Sequence, residues 1–223
     1  MAFKGTLIWN EFKMNESQII NKNLDINKEI NYKISNVVAV VSFNLEDKLN
    51  LLKILNKIEN ARYNPEVFPG LILKIKEPKA TFLIFTSGKM ILTGLRDIPF
   101  AKLAVSELMN KLRKININLS NPEIKITNIV ASIDFHSFIN LNKAVVKLDN
   151  IMYEPEVFPA VIYHMKEPIA VFLIFATGKV ICTKIKNKID LIKAVSELKN
   201  RLETQNIMTD KYEPDNEGKL IFL

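Results

Sequence analysis

From Ile34 onward the chain alternates short apolar runs with turns marked by proline or glycine, and it then writes that pattern a second time. Ile34–Phe43 is rich in β-branched residues and predicts a strand. Leu49, Leu52, Ile54, Leu55 and Ile58 recur at helical spacing and predict a helix over Lys48–Ile58. Proline-marked turns and the hairpin dipeptide Ser87-Gly88 then separate three strands, Val67–Ile75, Ala80–Phe85 and Lys89–Thr93. A last helix, Phe100–Arg113, places Leu103, Ala104, Leu108 and Leu112 on one stripe and carries Lys102, Lys111, Arg113 and Lys114 on its exposed side. The second copy predicts a strand over Ile126–Phe135, a helix over Asn140–Leu148, three strands ninety residues on, with a turn at Thr177-Gly178, and a helix over Ile189–Leu202. One strand, one helix, an antiparallel meander and one helix per copy make an α+β unit with its helices on one sheet face.

The duplication is visible residue by residue. Tyr63-Asn-Pro-Glu-Val-Phe-Pro-Gly70 is repeated as Tyr153-Glu-Pro-Glu-Val-Phe-Pro-Ala160, ninety positions later. The same offset carries Lys76-Glu-Pro78 onto Lys166-Glu-Pro168, Phe82-Leu-Ile-Phe85 onto Phe172-Leu-Ile-Phe175, and Ala104-Val-Ser-Glu-Leu108 onto Ala194-Val-Ser-Glu-Leu198. Asn36-Val-Val38 meets Asn128-Ile-Val130 at an offset of 92, so the intervening lengths differ by two residues.

A sheet with helices on one side alternates apolar inward and polar outward. These strands do not. Val37, Ala39 and Val41 share one face while Ile34, Val38 and Val40 share the other. Phe82 and Ile84 oppose Leu83 and Phe85, and Met90 and Leu92 oppose Ile91. The second apolar face is therefore either buried by further protein, by the other copy or by a second chain, or it is a binding surface.

With 223 residues the chain has length for one large domain or two small ones around a packed core. Runs such as Val37–Val41 and Phe82–Phe85 are far too short to cross a bilayer, and the apolar stretch at Thr6–Trp9 is too short for a secretory signal. A lone cysteine, Cys182, excludes an internal disulfide framework and points to a reducing, cytoplasmic compartment. The net charge of +7 suggests a polyanionic partner, nucleic acid first. His136 and His164 have no metal-ligand spacing, and Glu66 and Glu77 with their repeats flank prolines in turns, as solvated carboxylates do. With no phosphate loop, nucleophile motif or zinc signature, the chain reads as a non-enzyme with no cofactor and no small-molecule substrate.

The stretches Tyr63–Gly70, Lys76-Glu-Pro78, Leu83-Ile-Phe-Thr-Ser-Gly-Lys89 and Thr93-Gly94 resemble the core of the TATA-box-binding protein family of archaea and eukaryotes. Tyr153–Pro159 and Leu173-Ile-Phe-Ala-Thr-Gly-Lys179 carry the resemblance into the second copy, and it spans roughly residues 33–204. It implies a duplicated, pseudo-twofold saddle, a curved antiparallel sheet with helices on its convex face. It divides the chain into an N-terminal extension of unknown role at 1–32, repeats at 33–125 and 126–206, and a tail at 207–223. The concave face is expected in the DNA minor groove.

Carried over residue by residue, the resemblance assigns DNA kinking to Phe68, Phe85, Phe158 and Phe175. An aromatic wedge partly unstacks a base step at about a few kcal/mol, a cost for which this family is itself the reference case. Asn36, Asn128, Thr93 and Thr183 match the family's polar contacts at the groove floor, where an amide can donate to adenine N3 or thymine O2. Val38, Val130, Leu83, Leu173, Ile91 and Ile181 match its apolar floor contacts, and these lie on the second apolar face. Lys74, Lys89, Arg96, Lys179 and Lys186 match phosphate contacts.

The resemblance also implies partners. Double-stranded A/T-rich promoter DNA comes first, then transcription factor B at a loop holding Glu154, Glu156 and Val157, and RNA polymerase indirectly. It places the protein with the nucleoid, or in the nucleus if eukaryotic. Departures occur at Val67 and His164, where arginine is usual, and at Lys184, where glycine is usual. With the strongly basic charge, where many archaeal members are acidic, these raise an alternative: a specialised paralogue acting mainly as a protein-interaction module with weak DNA binding. A DNA- or RNA-processing enzyme would need a catalytic domain that the residues outside the repeats are too few to form.

Overall fold

The structure is a computed structural model, and it describes residues 31–210. The expectations for residues 1–30, with Trp9 and Met14, and for 211–223, with Leu220–Leu223, fall outside the described residues. The chain divides into two compact units, one formed by Ile34–Ala131 with Thr183–Asn187 and the other by Ser132–Cys182 with the segment from Lys188.

In the first unit β1 (Tyr32–Ser42), α1 (Leu51–Lys57), β2 (Ala61–Arg62), β3 (Leu71–Ile75), β4 (Ala80–Ile84), β5 (Lys89–Leu95) and α2 (Phe100–Arg113) follow in order. The strand β6 (Glu123–Asp134) leads on to β7 (Phe138–Ile139), α3 (Leu141–Lys147), β8 (Ile151–Met152), β9 (Ala160–Met165) and β10 (Ala170–Phe175). Then come β11 (Lys179–Ile185), α4 (Lys188–Thr204) and β12 (Met208–Thr209). Hydrogen bonding sets the order β2-β3-β4-β5-β1-β6 in one half and β6-β11-β10-β9-β8 in the other, and β12 pairs with β7.

The short helices α1 and α3 begin where asparagine caps them. Asn50 Oδ1 accepts the Lys53 N–H at 2.9 Å, and Asn140 Oδ1 accepts that of Lys143 at 2.9 Å. Both give way to a left-handed asparagine, Asn60 at φ 62° and Asn150 at φ 59°. The long helices finish alike: Asn116 and Asn206 are left-handed, and the next N–H, of Ile117 or Ile207, returns to the carbonyl of Leu112 or Leu202.

The strand alternation resolves as read except at Ile34, which was placed with Val38 and Val40 but is buried, because the alternation of β1 slips between Ser35 and Val37. Val37, Ala39, Val41, Leu71, Leu73, Phe82, Ile84, Met90 and Leu92 are all fully buried and form the core with Ile54, Ala104, Leu108 and Leu112 of the helices. In α2 the buried stripe is Ala101, Ala104, Val105, Leu108 and Leu112, and Leu103 is 56% exposed, contrary to the sequence reading. Position 103 falls off the stripe because 101, 104, 105, 108 and 112 share one helical face at three- and four-residue spacing. The second unit adds a stacked pair, Tyr163 and Phe172, with centroids 6.2 Å apart, and the Tyr163 hydroxyl accepts from Arg201 Nη1 at 3.0 Å.

Further expectations shift: the first helix starts at Leu51, not Lys48, and buries Leu51 and Ile54 while Leu52 is 59% exposed. Residues 67–70 are not strand: the Asn64 carbonyl accepts the N–H groups of Val67 and Phe68, and Asn64 Oδ1 accepts that of Glu66, so the segment folds as a turn before β3. In the stretch assigned to the tail, Ile207 is fully buried, its carbonyl accepts the Asn140 N–H, and Met208 pairs with Ile139, so residues 207–209 pack on the second unit.

Candidate nucleic-acid interface

The alternate residues of the strands form the second face. In the first unit the pairs Ile72–Leu83, Leu83–Ile91 and Val40–Ile91 place one apolar row across β3, β4, β5 and β1. Beside it Lys74 pairs with Thr81, and Thr81 with Thr93. Val38, Leu83 and Ile91 are half-buried, whereas their immediate neighbours Val37, Ala39, Phe82, Ile84, Met90 and Leu92 are wholly covered. Val130, Leu173 and Ile181 repeat the contrast, each between fully or almost fully buried neighbours. The helices thus cover one face of these strands. The other remains accessible among the described residues, and it holds all six predicted apolar floor positions.

The two asparagines sit at an irregularity in the sheet. Val37 pairs with Leu95 but Ala39 with Leu92, so Thr93 and Gly94 together oppose Val38 in a β-bulge. Gly94 adopts φ 87°, and this turns its N–H toward Asn36 Oδ1 at 2.8 Å, where the Thr93 hydroxyl also arrives at 3.3 Å. The second copy has the same contacts. Asn128 Oδ1 accepts the Lys184 N–H at 2.9 Å and the Thr183 hydroxyl at 3.2 Å, with Lys184 at φ 63°. A backbone donor identifies which amide atom is the oxygen. Each carboxamide therefore spends its acceptor inside the protein and keeps its two N–H donors without a protein acceptor among the described residues. All four predicted polar residues are half-buried, and they meet as two Asn–Thr pairs.

The four phenylalanines also meet in pairs. Phe68 and Phe85 cross edge to face with centroids 5.8 Å apart and an interplanar angle of 66°, and Phe158 and Phe175 do so at 6.0 Å and 71°. Phe85 directly follows β4 and Phe175 ends β10, while Phe68 and Phe158 come from the proline-flanked turns. These rings are accessible, unlike their fully buried neighbours Phe82 and Phe172.

Lys74, Lys89, Arg96, Lys179 and Lys186 are exposed and take part in no ion pair among the described residues. His164 occupies the place in β9 that Lys74 holds in β3: its N–H donates to the Asn150 carbonyl as that of Lys74 donates to Asn60. Glu154, Glu156 and Val157 are exposed on the second turn, Val157 by 78%, and Val67 on the first by 81%. Cys182 lies on the covered face beside Thr183, fully buried, and burial pushes its thiol up to about 12. Among the described residues no group of three or more histidine, cysteine, aspartate or glutamate side chains is placed to hold a metal, and no helix is long and apolar enough to cross a membrane.

Sequence reasoning missed several members of this face. Ile72 and Ile162 lie in the apolar row beside Leu83 and Leu173, hidden because the strand was started too early, at Val67. The bulge at Gly94 was signalled only by a glycine inside a strand.

Two copies of one α+β unit, each turning an amide, an apolar row and a crossed phenylalanine pair to one face of its own strands, define a duplicated α+β protein whose copies each keep an accessible, largely apolar sheet face. The family described as "Transcription factor TFIID (or TATA-binding protein, TBP)" matches residues 31–115 and 123–205. A TATA-box-binding protein of Pyrobaculum islandicum is 42% identical over 178 residues, 79% of this chain and 88% of that protein. Its counterpart in Sulfurisphaera tokodaii is 40% identical over 199 residues, 87% and 98% of the two chains. Among solved structures, Methanococcus jannaschii TBP superposes with a TM-score of 0.72 at 36% identity, covering 78% of this chain and 98% of that one. The chain belongs to the TATA-box-binding protein family, a family of transcription factors and not of enzymes.

Proposed function

We propose that this protein is a general transcription initiation factor that docks its accessible sheet face in the minor groove of an A/T-rich promoter. The observation that carries the reading is the state of Asn36 and Asn128, whose oxygens are engaged within the fold while their N–H donors are left for a ligand. The floor of an A·T minor groove offers only acceptors, adenine N3 and thymine O2, so donors set among apolar side chains match it. A G·C pair adds an amino donor that such a surface cannot accept.

On this reading Val38, Val130, Leu83, Leu173, Ile91 and Ile181 cover the groove floor, and Thr93 and Thr183 hold the asparagines in register. Phe68 with Phe85, and Phe158 with Phe175, enter between base steps and bend the duplex. Lys74, Lys89, Arg96, Lys179 and Lys186 grip the flanking phosphates. The turn bearing Glu154, Glu156 and Val157 receives transcription factor B, which in turn brings RNA polymerase. A mobility-shift titration of an A/T-rich duplex, with and without factor B, tests this. Phe85→Ala combined with Phe175→Ala is expected to abolish the shift, and retained binding sinks the wedge reading. His164 and Lys184, where the family carries other residues, favour a second reading, a specialised paralogue that engages DNA only weakly unless factor B is present. The arm with factor B separates the two.

A further inference from the structure

The two phenylalanine pairs are not built alike. A Cβ placed on Gly70 would lie 2.6 Å from Phe68 Cε1 and 3.0 Å from Phe85 Cε1, so the first pair closes down onto a residue that has no side chain. The corresponding residue in the second copy is Ala160, whose methyl group already fills that space. Phe158 there is 36% exposed.

The backbone differs as well. In the second unit Phe175 pairs with Ala160, so the β9–β10 ladder runs directly beneath the rings. In the first unit the β3–β4 ladder stops at Leu71–Ile84, leaving Gly70 and Phe85 past its end. The Phe158–Phe175 pair therefore stands where the ladder is still hydrogen-bonded and the supporting residue carries a methyl, while the Phe68–Phe85 pair lies against a glycine past the end of its ladder.

The geometry points to residues 70 and 160 as positioning residues that set how far each phenylalanine pair projects. It makes the second-copy pair the deeper wedge and the two half-sites of the DNA unequal to the protein. This rests on the minor-groove reading above. Neither residue touches DNA in that scheme, and each acts through the rings it supports. Gly70 is not among the residues with positive φ, so alanine adopts its backbone without strain. The atoms it would displace are the outer edges of two accessible rings, so the rings yield outward and the core does not.

The test uses the full chain and a duplex whose two A/T half-sites are identical by symmetry, which removes orientation from the measurement. Gly70→Ala is expected to tighten binding and Ala160→Gly to weaken it, each by about threefold, with the double exchange back near the starting value. 2-Aminopurine at the outer base steps should brighten with the first change and dim with the second. The urea unfolding curve of Gly70→Ala should stay where it is. Merely structural roles would lower affinity in both variants, so a shift in the same direction, or no shift in either, overturns the inference. Phe85→Ala with Phe175→Ala is run beside them. If it loses binding while residues 70 and 160 have no effect, only this inference falls; if it keeps binding, the underlying reading falls.

Discussion

Asn36 offers a substitution that separates folding from binding. Asn36→Asp keeps an oxygen where Oδ1 now accepts the Gly94 N–H at 2.8 Å and the Thr93 hydroxyl at 3.3 Å, and it removes both N–H donors of the amide. Stability should change by no more than about 1 kcal/mol, because the bulge keeps its acceptor and the site is only half-buried. Binding should fall much further. A base acceptor left without its donor costs about 1–3 kcal/mol. A carboxylate about 7 Å from a phosphate adds roughly 2 kcal/mol of repulsion at an effective dielectric near 20, less after salt screening. Together these give about 3.5 kcal/mol, or a few hundredfold in Kd.

The contrast is Asn36→Leu, which is similar in size but lacks the acceptor. It strands the Gly94 N–H and the Thr93 hydroxyl and should cost about 1–3 kcal/mol of folding stability in addition to the lost binding. The assays are fluorescence anisotropy with a labelled A/T-rich duplex and urea unfolding of each variant. The same pair of outcomes is expected at Asn128, where Oδ1 accepts from Lys184 at 2.9 Å. An aspartate variant that binds within about threefold of the parent, or that unfolds as easily as the leucine variant, refutes the assigned division between oxygen and nitrogen.

Lys184 holds φ 63° where the first copy has Gly94 at φ 87°. Left-handed backbone costs a side-chain-bearing residue about 1–2 kcal/mol, offset in part by the entropy glycine adds to the unfolded chain, so Lys184→Gly should raise the thermal midpoint by a few degrees at most. Gly94→Lys should lower it by a similar amount, since the added Cβ would meet only ordinary contacts, with Ala80 Cα and Thr81 N at 3.9 Å, and calorimetry checks both. Binding should weaken steeply with salt, log Kd against log salt having a slope of about 4.5 if the five rim cations each meet a phosphate, and Lys89→Gln should reduce it by about 1. The Cys182 thiol, pushed up to about 12, should resist alkylation in the folded protein at pH 8. Because its folded value is raised, its contribution is intact below the ordinary thiol range near 9 and is lost as pH climbs toward about 12, so Cys182→Ala should flatten the alkaline fall in unfolding free energy.

What was legible in the sequence and what was not divide along a physical line. The assignment of strand faces succeeded from Val37 onward because a β-strand has only two faces and one alternating set meets the helices, and it failed at Ile34, where the strand is irregular and period two no longer holds. Naming Phe82 and Ile84 against Leu83 and Phe85 was enough. Helix phase was harder in α2, where Leu103 and Val105 are both apolar and only packing shows that 105 is covered and 103 exposed. The turn at 64–68 was lost because Val67 and Phe68 have strand propensity, while the outcome is decided by the Asn64 side chain and carbonyl. The amide geometry lay deeper still. The one-residue slip in the bulge pairing is a property of two strands at once, and its one local mark, Gly94, is Lys184 in the second copy. That lysine keeps the left-handed backbone and the bond to Asn128 at some conformational cost. The persistence of the left-handed backbone and of its bond to the asparagine without the glycine argues that the oriented amide is the feature being retained, and that glycine is only the easiest way to hold it.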